Sequence, residues 1–348
     1  MNDFIANLPK AELHVHLEGT LEPELSFELA KKHGIELEYA TVEDLLEAYD
    51  FHDLPSFLRI YYKAMSVLLD EDDFFQLAWQ YLSKAAQQRV LYAEMFFDPQ
   101  AHTSRGVPFE TVIRGIRRAQ ERASSQLGID TQLILCFLRD MSAESAMLTL
   151  QESIPFKDWI VGVGLDSDEK GNPPVKFAEV FRKARELGFR LTMHCDVNQE
   201  NTLAHIHQCL HTIGVDRIDH GVNCLEDPKL CATIAERGLG LTICPVSNRF
   251  VVQNLTATEI RRMLSLGMRA TVNSDDPAYF RAYVNENLQA LQDEGGLTRE
   301  EIVQLVGNAF TVAWLDETRR AAYLRRMHSY VDRNATSLQG GPAGGQPG

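Results

Sequence analysis

From residue 90 onward the chain alternates short apolar runs with longer amphipathic ones. The apolar runs cover 90–97, 132–138, 159–166, 190–195, 217–222, 240–245 and 268–274. Between them lie segments with helical spacing, at 108–126, 142–151, 175–187, 202–213, 228–237 and 257–266. Continuously apolar strands are those buried on both faces, as in parallel sheets covered by helices. An earlier strand-like stretch near residue 12 makes eight units. Eight strand–helix units without a glycine-rich dinucleotide fingerprint specify α/β, a (β/α)8 TIM-type barrel rather than a doubly wound sheet. Helix-rich sequence at 42–86 and beyond 277 adds helices after strand 1 and at the C-terminus. Residues 1–333 therefore read as a single domain. The Gly/Pro-rich stretch within 334–348 has little to bury and reads as a disordered tail.

A net charge of -15 disfavours a nucleic-acid backbone or an anionic membrane as partner. It leaves a small molecule in a pocket open, and homo-oligomerisation too. The six cysteines form no CxxC pair and no disulfide framework, which points to a reducing, cytoplasmic setting. No signal peptide and no apolar run of membrane-spanning length is evident.

In such a barrel the chemistry gathers at the C-terminal ends of the strands. The polar residues that suit a buried strand least fall there. His14 and His16 alternate on the first strand, so their side chains share a face. His194 ends the fifth strand, His220 the sixth, and Asp275 with Asp276 the eighth. Taken singly, each reads equally well as a satisfied core residue or a loop cap; together they suggest a metal centre. Imidazoles with a carboxylate suit zinc, which makes hydroxide available at neutral pH, with a further histidine as general base. His205, His207 and His211 lie on the helix after strand five, and a surface location is expected for them. Phe57, Tyr61 and Tyr62 belong to an aromatic stripe suited to core packing or to a pocket wall.

Four motifs carry a wider resemblance: residues 8–19 (LPKAELHVHLEG), 217–221 (RIDHG), 244–248 (CPVSN) and 271–277 (TVNSDDP). With them the chain resembles the adenosine/adenine deaminase family of the metal-dependent amidohydrolase superfamily. The resemblance runs from residue 8 to about 310. It implies a (β/α)8 barrel and one zinc ion per chain, held by His14, His16, His194 and Asp275. His220 would activate the bound water. Asp276 would contact N7 of a purine, and the strand-four segment with Gly164 and Asp166 its N3 edge. The form of that segment, with Glu18 after the second histidine, is nearer the free-base enzymes than the nucleoside enzymes. The implied reaction is hydrolytic deamination of a 6-aminopurine, adenine to hypoxanthine and ammonia by default. An N6-substituted adenine such as a cytokinin-type base, or adenosine, is an alternative, and a non-catalytic purine binder a further one. No lysine lies in 160–167, which argues against a lysine-bridged binuclear centre.

At one place the chain departs from the family. Where the family has His-Ala-Gly-Glu, whose Glu protonates N1, this chain has His194-Cys195-Asp196-Val197-Asn198-Gln199-Glu200. Val197 cannot donate a proton. Glu200, brought in by a loop insertion, is the expected donor, with Asp196 as its rival.

Overall fold

The computed structural model describes residues 2–49, 51 and 54–339. Eight strand positions surround one axis. They are β1 (Lys10–Glu12), β2 (Val90–Phe97), β3 (Asp130–Leu138), β4 (Ile160–Asp166), β5 in two pieces (Arg190–Leu191 and His194–Cys195), β6 (Arg217–His220), β7 (Gly240–Ile243) and β8 (Arg269–Val272). All neighbours pair in parallel. The two pieces of β5 act as one strand. Thr192 N–H donates to Val163 O on β4, and Met193 O accepts from Asp219 N–H on β6. The barrel closes just beyond the regular parts of β1 and β8. There Val15 bridges Asp275, and His16 N–H donates to Asp275 O at 2.9 Å.

The first strand is thus shorter than its pattern suggested, and His14 and His16 lie on an extended continuation of it. His16 also bridges Phe96 on β2. The expected helices are present, among them Phe109–Leu127, Ala143–Ser153 and Pro228–Arg237. Ser142 caps its helix by accepting from Ser145 N–H. Pro245–Val252 forms a helix where the sequence suggested only a motif. The last helix, Glu317–Gln339, runs past Arg333 into the stretch expected to be disordered; 340–348 lie outside the described residues, as does His52.

The barrel floor is closed. Buried Glu94 and Arg217 form an ion pair inside it, and the Arg217 guanidinium stacks on Trp314, 4.3 Å from the ring centroid. The open end is the one at which the strands finish. Helix Leu54–Ala64 covers it and brings Phe57, Tyr61 and Tyr62 over the mouth. No described helix is long and apolar enough to cross a membrane.

Candidate active site

His14, His16, His194 and Asp275 converge at the barrel mouth, all buried. His14 Nε2 is 2.9 Å from Asp275 Oδ1, His16 Nε2 is 3.5 Å from the same oxygen, and His16 Nε2 is 3.1 Å from His194 Nε2. Tetrahedral ligands on bonds of ~2.0–2.1 Å would stand roughly 3.3 Å apart, so the cluster has the dimensions of a metal cage. The supporting hydrogen bonds fix its polarity. Thr242 Oγ1 donates to Asp219 Oδ1 at 2.9 Å, so it accepts from His14 Nδ1–H, also at 2.9 Å. This leaves the Nε2 lone pair of His14 facing the centre, the tautomer a metal requires. Asp219 also approaches His194 Nδ1, at 3.6 Å, and accepts from Thr192.

Burial pushes His14 down to about 4, although Asp275 pulls it back up. Burial and the neighbouring histidines push His194 well down. Both are therefore neutral donors at pH 7. Asp275 is also buried, which favours its neutral form, but His14 and His220 outweigh this and hold it ionised. Three imidazoles and one carboxylate thus fit a divalent cation.

His220 and Asp275 have positive φ, 55° and 65°, at the ends of β6 and β8. That conformation is uncommon outside glycine and recurs at functional sites. It turns His220 towards the centre, where Nε2 lies 3.8 Å from Asp275 Oδ2 and 3.0 Å from Asp196 Oδ1. Burial opposes protonation of His220, but Asp196 and Asp275 raise it overall. Asp276 follows Asp275 into the pocket, where burial and neighbouring carboxylates push it well up. Gly19 makes room for it: a Cβ there would fall 2.0 Å from Asp276 Oδ1 and 2.8 Å from its Cα.

The loop after His194 corrects the expectation for Glu200. Asn198 and Asn201 both adopt positive φ and turn the chain outward, leaving Glu200 exposed and off the pocket wall. Asp196 and Val197 line the pocket instead. Burial raises Asp196 to about 7 against the pull of His220. Its backbone N–H donates to Glu169 Oε1 at 2.7 Å. Glu169 in turn accepts from His205 Nδ1–H at 2.8 Å, and Arg139 Nη1 lies 3.5 Å away while donating to His194 O. His205 is therefore a buried strut and not a surface residue; His207 and His211 are exposed as expected.

Gly164 is also corrected. It lies in the barrel interior, where a Cβ would meet Cys136 Sγ at 2.6 Å, and its smallness serves packing. From β4 the pocket takes Asp166 and Ser167. Ser167, at φ 75°, accepts from Tyr62 Oη–H at 2.8 Å. Asp98, ending β2, was missed by the sequence reading. It lines the pocket beside Asp166, and burial with Asp166 and Glu18 pushes it well up; burial raises Asp166 to about 6. Its signal was available, since Asp98 ends a strand as the other site residues do. Glu18 stays out of the pocket, accepting from His102 Nε2–H at 2.9 Å and from Asp98 N–H.

With this cage and pocket in place, comparison with known proteins settles the family. The sequence model described as adenosine deaminase matches residues 9–330. The chain belongs to the adenosine deaminase family. It is 52% identical over 329 residues to an uncharacterized deaminase of Schizosaccharomyces pombe, covering 94% of this chain and 97% of that protein. It is 47% identical over 333 residues to an adenine deaminase of Geotalea uraniireducens, covering 95% and 93%. Among solved structures, adenine deaminase from Arthrobacter aurescens superposes with a TM-score of 0.90 at 41% identity, covering 93% of this chain and 99% of that one. A zinc-bound amidohydrolase from Burkholderia ambifaria gives a TM-score of 0.86 at 27% identity, covering 96% and 94%. Family and fold therefore agree with the expected metal-dependent (β/α)8 barrel.

Proposed function

We propose that this chain deaminates adenine hydrolytically, giving hypoxanthine and ammonia. The observation that carries this reading is the convergence of the His14–His16–His194–Asp275 cage with His220, Asp196 and Asp276 on one buried pocket. The adenine deaminases at 41–47% identity support the substrate. We assign zinc to the cage, where it would polarise water and lower its pKa towards neutrality. His220 takes a proton from the attacking water. Asp196 delivers a proton to N1, so that C6 accepts the oxygen, and Asp276 holds N7. The proton on His220 then passes to the amine, which leaves as ammonia, while the hydroxyl proton on the C6 oxygen returns to Asp196, so that C6=O forms and the acid is restored.

A second reading follows from Val197. A valine on the pocket wall next to the proton donor puts an apolar surface where the family has a carboxylate, and Phe250 and Val251 extend that surface. It suits an N6-alkyl substituent. A turnover panel of adenine, adenosine and N6-alkyladenines with the zinc-loaded protein tests both. Adenine turnover supports the main reading. Turnover confined to N6-alkyladenines favours the second, and turnover of adenosine alone overturns both. We further propose a single domain over 1–333 and a cytoplasmic setting.

A further inference from the structure

Asp98 has no part in the chemistry just described, yet it faces the same pocket. It is 2% exposed, and Asp166 beside it is 3% exposed. Asp98 Oδ1 has no hydrogen-bond donor among the described residues, and Asp166 Oδ2 has His16 Nδ1 no nearer than 3.4 Å. Buried acceptors left without donors are costly, so such a pair in a pocket calls for a ligand that brings N–H or O–H groups.

Strand order shows which part of a purine reaches them. Around the ring, C6 is followed by N1, N3, N9 and N7. Around the barrel, His220 on β6 is followed by Asp196 after β5, Asp166 and Ser167 ending β4, Asp98 ending β2, and Asp276 beyond β8. The two orders coincide once C6 faces His220. N3 then faces β4, and N9 faces β2, which lies across the barrel from β6. Resting on the deaminase reading above, we propose that Asp98 accepts the N9–H of a free purine base and, with Asp166, makes the site reject purines substituted at N9. Any N9 substituent removes the donor and sets carbon against a buried carboxyl.

The test compares adenine with 9-methyladenine as substrates of the zinc-loaded full chain, and purine with 9-methylpurine as inhibitors. The wild type should favour adenine in kcat/KM by at least about 1,000-fold, as expected where a site built to bond an N–H meets an analogue lacking it. Purine should inhibit at least ~100-fold more tightly than 9-methylpurine on the same ground. Asp98→Ala should shrink the substrate ratio to within about tenfold, mainly by lowering the rate with adenine. Asp98→Asn keeps the size of the side chain and should lower the ratio at least ~tenfold, because its amide can set an N–H donor in place of the acceptor oxygen. A wild-type ratio within about tenfold overturns the proposal, as does an unchanged ratio in either zinc-replete variant. Two zinc ions per chain would also overturn it, because His16, Asp98 and Asp166 could then hold the second. Adenine turnover by the wild type tests the deaminase reading separately, so either can fail alone.

Discussion

Replacing Asp196 by Asn probes the proton donor with little change of shape. The carboxyl sits 3.0 Å from His220 Nε2, and the backbone N–H is pinned to Glu169 Oε1 at 2.7 Å. Asn can keep the place and a hydrogen bond to N1, but it has no proton to deliver. General acid catalysis contributes about 10²–10⁴ in rate. At 1.36 kcal/mol per decade, that loss corresponds to roughly 3–5 kcal/mol of barrier. The retained hydrogen bond places the expected fall in kcat at the lower end, about 10²–10³, with KM and metal content near wild type. Glu200→Gln is the control. Glu200 is exposed and off the pocket, so its replacement should change kcat by less than about threefold. Steady-state kinetics with adenine, following loss of its absorbance, reads both. If Asp196→Asn stays within tenfold of wild type while Glu200→Gln collapses, the assignment of the acid is wrong.

Gly19→Ala should cut kcat/KM for adenine by about 100-fold, because backbone as well as side-chain atoms of Asp276 must move by an ångström or so; unchanged kinetics would contradict the cradle. Glu169→Gln breaks a buried contact with Arg139 and should lower the unfolding free energy by about 3 kcal/mol in denaturant titration, and a loss under ~0.5 kcal/mol would show the strut to be dispensable. Lys10 gives a pH test away from the site. Burial lowers it to about 7 from an unfolded value of 10.5, so between those values the unfolded chain binds more protons and stability rises with pH. Compared with Lys10→Met, the wild type should gain up to about 1.4 kcal/mol per pH unit between pH 7 and 9; parallel curves would contradict the buried, easily deprotonated amine.

The barrel was legible because its strands are buried on both faces and so stand out as apolar runs. The cage was legible for the same reason, since imidazoles and carboxylates are conspicuous at the ends of such strands. The acid was harder to see. Spacing put Val197 in the acid's place, and a loop insertion was expected to bring Glu200 in, whereas two asparagines at positive φ leave Glu200 exposed and Asp196 on the pocket wall. His205 was misplaced because a histidine on a helix outside the barrel reads as a surface residue until Glu169, 36 residues earlier, is seen to reach it. Gly164 was named as a substrate contact because the resemblance marked the whole strand-four segment, and only the contact with Cys136 separates its packing role from that of Asp166 and Ser167. Asp98 and Asp219 escaped notice for a related cause: each is one acid in a strand-end segment, and their roles come from pairing across strands.

The central claim, a single-metal adenine deaminase, is tested most directly by adding zinc to metal-free protein while following conversion of adenine to hypoxanthine. The four-ligand cage predicts activity that rises in proportion to added zinc and levels off at one equivalent per chain, with ammonia released one for one with hypoxanthine. Full activity without metal, a plateau at two equivalents, or a zinc-replete protein that leaves adenine untouched would contradict it.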